Sequence, residues 1–127
     1  MEQQMKRQVT IWMSVLIAAV LWIGCGSSYS RTDNGITVQV QEDEYHINMQ
    51  NSFPSGVVTF HVLNTGEHKH SFKIKGNGVE AQLSQDLSTL QTGELTVTLP
   101  AGRYDVYCPM LGHPELGMKL EVTVTPR

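Results

Sequence analysis

Seven short segments of the chain alternate apolar and polar side chains with a period of two, and clusters of glycine, proline and asparagine separate them. Ile36 to Gln41 alternates strictly, Glu42-Asp43-Glu44 interrupts the pattern, and Tyr45 to Met49 resumes it. Val57 to Asn64 puts Val58, Phe60 and Val62 on one face, and His70, Phe72 and Ile74 share a face in the next segment. Glu94 to Leu99, Arg103 to Cys108 and Met118 to Val124 complete the set. A period of two fits extended strands with one buried face and no helix. Residues 79 to 92 are the least periodic part, expected to be irregular with a short helical turn. The pattern predicts an all-β, Greek-key antiparallel β-sandwich over residues 35–127, large enough for one core between two sheets.

The start of the chain reads differently. Lys6 and Arg7 form a basic head, Val9 to Ile23 is apolar apart from Thr10 and Ser14, and Gly24-Cys25-Gly26 closes the run. As a helix, fifteen residues span roughly 22 Å, short of the roughly 30 Å hydrocarbon core. Residues 1–25 are therefore expected to be an export signal or a membrane anchor, and 26–34 a polar tether. The ending resembles a bacterial lipoprotein signal, with Gly24 before Cys25, although Trp22 and Ile23 depart from its usual residues. Three fates stay open: lipidation of Cys25, an uncleaved anchor, or ordinary cleavage nearby. Each puts the domain outside the cytoplasm, in the periplasm or on the outer face of the membrane.

Removing residues 1 to 24 takes away Lys6, Arg7 and Glu2, so the formal charge of -3 becomes 7 minus 11, or -4. Lys69, Lys73 and Lys75 make the densest basic group, too few to displace counterions from phosphates, so nucleic acid is not expected as a partner. Of the two cysteines, Cys25 ends the signal and Cys108 lies in the domain. With Cys25 lipidated or removed, Cys108 has no partner for a disulfide in an oxidising compartment. Metal ligation supplies a reason for such a thiol.

Cys108 opens the stretch Cys108-Pro109-Met110-Leu111-Gly112-His113-Pro114-Glu115-Leu116-Gly117-Met118, which spaces a thiol, an imidazole and a thioether as Cys-x4-His-x4-Met. These are soft and borderline ligands of the kind that select copper. Parity places them: Cys108 is in phase with Tyr104 and Val106, and Met118 with the apolar face of the last strand, so both point inward at one end of the sandwich. Pro109, Gly112, Pro114 and Gly117 give the loop between them tight or fixed backbone angles. Far upstream, His70 lies on the apolar side of its own segment.

Tyr104-x-x-Tyr107-Cys108-Pro109-x-x-Gly112-His113-x-x-x-Gly117-Met118, followed by Glu121 to Val124 and preceded by Asn64-Thr65-Gly66 and His70-Ser71-Phe72, resembles the cupredoxins, the blue copper proteins. The resemblance covers about residues 35 to 125, and the ligand-loop spacing looks most like the rusticyanin and sulfocyanin types. It implies a cupredoxin-like domain in which His70, Cys108 and His113 are equatorial ligands of one copper ion cycling between Cu(I) and Cu(II), with Met118 a weak axial ligand. It implies that the side chain of Ser71 helps to brace the cysteine loop, with backbone groups near Ser71 and residues 110 to 112 donating to the Cys108 sulfur. Lys119-Leu120, where many members have a glycine, departs from the pattern without removing a ligand. It also implies an exposed outer edge on His113, ringed by Met110, Leu111, Pro114 and Leu116, where redox partners dock briefly.

The function expected on these grounds is electron transfer between redox partners at the cell envelope, with copper capture or delivery as the alternative and no enzymatic role. Each residue alone has a plainer reading: Cys108 and Met118 as core, His70 as a satisfied buried imidazole, Met110 as loop packing. His68 shares the parity of His70 but lies nearer the turn, and is expected to be solvated or to support the site from outside. His46 and Met49 are weak candidates for an auxiliary copper site, Glu115 for an oxygen ligand, and His61 for the surface.

Overall fold

The structure, a computed structural model, describes residues 29–32 and 35–127. The segment expected to be a signal or anchor, residues 1–25 with Cys25, lies outside the described residues. Ten strands follow in order: β1 (Tyr29–Thr32), β2 (Gly35–Asp43), β3 (His46–Met49), β4 (Ser52–Pro54), β5 (Gly56–Asn64), β6 (Lys73–Gly76), β7 (Val79–Gln82), β8 (Thr92–Leu99), β9 (Gly102–Tyr107) and β10 (Lys119–Thr125). They form two five-stranded sheets, one ordered β1-β2-β5-β8 with β3 also on β2, the other β4-β10-β9-β6-β7. Among the described residues no helix is long and apolar enough to cross a membrane.

The sandwich is mixed rather than wholly antiparallel. β2 runs parallel to β5, and β4 runs parallel to β10, while the other pairings are antiparallel. The sequence pattern cannot show this, because inward and outward positions alternate identically in both kinds of ladder. The parallel register sets Ile36 opposite Val58, Val38 opposite Phe60, Val40 opposite Val62 and Glu42 opposite Asn64. All eight of these side chains are buried, so the apolar rows of β2 and β5 end together on an acid and an amide. From the other sheet Phe53, Phe72, Ile74, Tyr104, Val106, Val122 and Val124 close the core. Phe60 lies between the sheets, its ring 5.9 Å from Phe53 and 5.0 Å from Phe72.

Three local expectations change. Glu42 and Asp43 continue β2 instead of interrupting it, because Asp43 pairs with His46 and leaves only Glu44 and Tyr45 as the turn into β3. Residues 79 to 92 contain no helical turn. Asn77 and Gly78, with φ of 46° and 76°, make a tight turn into β7. Leu83 and Leu87 then bury a spacing of four that imitates a helix face, yet their N–H groups donate across the chain to Phe72 O at 3.0 Å and His70 O at 2.8 Å. Finally, within the stretch read as a tether, Tyr29–Thr32 pairs with β2, so the sheet extends four residues into it.

Candidate metal centre

The site is assembled at the end of the sandwich where β5, β9 and β10 turn over. Asn64, the last residue of β5, is fully buried and spends its side chain on the backbone: Nδ2 donates to His68 O and Leu87 O, both at 2.8 Å, and Oδ1 accepts from Gly66 N at 2.8 Å. One amide thereby fixes the turn that carries His70. His70 itself pairs with Leu87 through both backbone groups, at 3.1 and 2.8 Å. Its ring is completely buried.

Cys108 follows β9 directly and is a buried free thiol. Its N–H donates to Met118 O at 3.1 Å, and Met118 N donates to His113 O at 3.1 Å. These two bonds close the loop on itself, and the bond from His113 N to Met110 O at 3.1 Å adds a turn inside it. Met118 is fully buried just before β10, as strand parity requires. His113 sits half-buried in the loop.

The structure brings three of the expected residues together, with one ligand atom each of His70, Cys108 and His113 lying within 4.8 Å of one another. His113 Nδ1 is 3.2 Å from His70 Nδ1 and 3.5 Å from the Cys108 sulfur. The Cys108 sulfur accepts the N–H of Ser71 at 3.4 Å and a backbone hydrogen bond from Met110. The brace from Ser71 is therefore its backbone, not its side chain, whose buried oxygen has no hydrogen-bond partner. Met110 and Pro114 are half-buried, while Leu111 and Leu116 stand out at 101% and 59% exposure.

Burial and neighbouring groups shift two members of this cluster toward their uncharged forms. Burial pushes the Cys108 thiol up, the Met110 and Ser71 amides oppose that, and Glu42 and Asp86 add to it. Burial and the neighbouring imidazoles of His70 and His68 hold His113 below the usual imidazole range, against a pull from Glu44. Two imidazole nitrogens and a sulfur converging on one point are borderline and soft donors, and a soft cation fits that set.

Sequence reasoning missed Glu44. Its Oε1 lies 3.2 Å from His70 Nε2 and 3.3 Å from His68 Nδ1, and accepts the His68 N–H at 2.7 Å. Backbone donors from His68 and Glu67, opposed by partial burial and assisted by the two imidazoles, hold its carboxyl down at about 2. Any Cβ on Gly66 would overlap this carboxylate, so the glycine is what lets the carboxylate reach the turn. No local pattern announces a contact across 26 residues. His68, 65% exposed, supports Glu44 from the solvent side. His46 is exposed and paired with Asp43, and His61 lies on the outer face beside Gln39, both away from the cluster. Met49 packs against the core and Glu115 is exposed.

No protein-family model matches the chain, and no curated protein matches it. Solved structures do. A dithionite-reduced auracyanin from Roseiflexus castenholzii is 21% identical over 71% of this chain and 97% of its own, with a TM-score of 0.59. An auracyanin B structure is 23% identical over 80% and 96%, with a TM-score of 0.62. Auracyanin A, a "blue" copper protein from Chloroflexus aurantiacus, is 18% identical over 72% and 98%, with a TM-score of 0.55. The described domain has this cupredoxin-type β-sandwich fold.

Proposed function

We propose that the domain holds a single copper ion through His70, Cys108 and His113, with Met118 as a weak axial ligand, and passes single electrons between partners at the cell envelope. The observation that carries this reading is the convergence of two imidazole nitrogens and a thiol sulfur on one buried point. The ion supplies one-electron chemistry, and a soft, mixed sulfur and nitrogen donor set accommodates both of its oxidation states. The chain holds the donors in place beforehand: the closed loop fixes Cys108 and His113, the Asn64 amide fixes His70, and two backbone amides draw electron density from the sulfur. Full burial keeps water from His70 and Cys108. With Met118 as fourth ligand, the four side chains would leave no position for a substrate, which supports a carrier over an enzyme. The likeness to auracyanins, one of them named a blue copper protein, supports the choice of metal.

Partners dock at the exposed Leu111 and Leu116 with Met110 and Pro114 around His113. A small apolar patch suits brief encounters, because little buried area means fast release. Residues 1–25 tether the domain to the outer face of the membrane, with Cys25 as the candidate lipid attachment. The spacing Cys-x4-His-x4-Met supports a loop of the rusticyanin and sulfocyanin types, and that subtype stands on spacing alone. A copper-capture module needs the same ligands, but would release its ion on a change of oxidation state, whereas a carrier retains it.

The test is an optical and paramagnetic-resonance spectrum of the copper-loaded protein. Intense visible absorption from sulfur-to-copper charge transfer is expected, together with retention of one copper through repeated reduction and oxidation. In Cys108→Ser the strong absorption should vanish. A colourless Cu(II) form with ordinary copper hyperfine splitting would sink the proposal.

A further inference from the structure

We infer that the tip of the β2–β3 hairpin is the outer support of both imidazoles, and that Glu44 is the positioning residue that keeps the His70 proton on Nε2 and turns its Nδ1 lone pair toward Cys108 and His113. The inference rests on the reading of His70 as a ligand and adds the group that orients it.

The two-residue turn between Asp43 and His46 presents Glu44 and Tyr45 in succession. Glu44 Oε1 lies 3.2 Å from His70 Nε2. An ionised carboxylate only accepts hydrogen bonds, so the nitrogen facing it carries the N–H. With the Nε2 proton held there, Nδ1 is the nitrogen left to offer a lone pair, and it lies 3.2 Å from His113 Nδ1 inside the donor cluster. Tyr45 meets the second imidazole: its ring stands edge-on to His113 at 5.3 Å between centroids. The tip also touches the ligand loop, since a Cβ on Gly117 would lie 3.1 Å from the Tyr45 carbonyl oxygen. One turn thus bears on His70, His113 and the backbone between His113 and Met118.

The carboxylate is itself held. The same Oε1 accepts the His68 N–H at 2.7 Å and faces His68 Nδ1 at 3.3 Å, and Gly66 leaves it room. A satisfied buried imidazole would need only some acceptor for its N–H. A charged acceptor does more, because it makes the ring a stronger donor through the opposite nitrogen. Orientation and charge make separable predictions, and Glu44→Gln and Glu44→Ala separate them.

The first measurement uses the full-length protein without metal, at fixed neutral pH. Two-bond proton–nitrogen correlation spectra should show His70 protonated on Nε2 and bare at Nδ1. In Glu44→Ala the ring should populate both tautomers, whereas Glu44→Gln, which keeps a carbonyl acceptor, should largely restore the Nε2–H form. The second measurement titrates copper. Affinity should fall about 10- to 100-fold in Glu44→Ala and less in Glu44→Gln. The reduction potential should rise in both, since both remove a negative charge that favours the more positive ion.

A His70 proton on Nδ1 in the native protein overturns the inference without any variant. So does a Glu44→Gln protein that folds with unchanged potential together with a Glu44→Ala protein of unchanged tautomer. If the native tautomer is as expected and Glu44→Ala scrambles it, but copper-loaded protein gives no charge-transfer band, the positioning role stands and the copper reading falls.

Discussion

At the scale of single residues, Glu42 makes stability depend on pH. Its carboxyl is fully buried at the end of the β2 row, neither oxygen has a hydrogen-bond partner, and burial pushes it up to about 8 from an ordinary 4.5. Below pH 4.5 both folded and unfolded chains carry the proton and the residue adds no pH dependence. Between 4.5 and about 8 the unfolded chain releases it first, so stability falls as pH rises, by an amount on the order of 5 kcal/mol over the whole window. Glu44 acts in the opposite direction in a lower window: held down at about 2, it favours the folded state above 4.5 and loses that effect as pH falls toward 2. Urea unfolding of the metal-free protein should therefore show Glu42→Gln gaining stability over the native chain as pH is raised from 5 to 8.5, with no such gain below 4.5. Equal pH slopes in the two proteins would place the Glu42 carboxyl in contact with water. Met118 offers a second test at this scale. Replacing it with leucine keeps the volume and burial but removes the thioether, so copper should remain bound at a higher reduction potential. A potentiometric titration giving an unchanged value would remove Met118 from the ligand set.

Elements determine how rigidly these residues are held. Asn64 ends β5 and ties that strand to the His68 carbonyl, the Leu87 carbonyl and the Gly66 amide. Asn64→Ala removes three hydrogen bonds, leaving the Gly66 N–H and the His68 carbonyl without this partner while the Leu87 carbonyl keeps only the His70 N–H, and each such loss costs about 1 kcal/mol. Thermal unfolding should therefore show a loss of roughly 3 kcal/mol, and the copper-loaded variant a broadened charge-transfer band as His70 loosens. A loss below about 1 kcal/mol would mean that water replaces the amide. Seven strands were legible in the alternation, because one buried face forces it, whereas the short β1, β4 and β7 were not; Cys108 and His113 were legible because one loop carries both. His70 followed from parity with Phe72 and Ile74. What escaped was non-local: the parallel course of β2 beside β5, the pairing of Leu87 with His70, and the reach of Glu44 across the site. Glu42 escaped for a different reason. A charged residue at an inward position reads as a break in the strand, and only the register with Asn64 shows that the strand goes on.

For the molecule as a whole, the docking face proposed above is the apolar patch that exposes Leu111 and Leu116. Leu111 is fully exposed at the outer tip of the loop, where it can serve contact and contributes nothing to the core. Leu111→Asp should leave spectrum and potential unchanged while slowing electron self-exchange between oxidised and reduced copies about tenfold or more, since two such patches meeting would oppose like charges. Nuclear magnetic resonance line broadening in mixed-oxidation samples measures that rate, and an unaltered rate would move the contact elsewhere. Cys108 and Met118 are hydrogen-bonded to each other across the ends of their loop, and Met118 is bonded back to His113 within it. The stretch from 108 to 118 is consequently a self-closed loop that the scaffold meets at His70, Ser71 and Tyr45. The auracyanin structures share the sandwich at 18–23% identity, so the same frame is built where most residues differ.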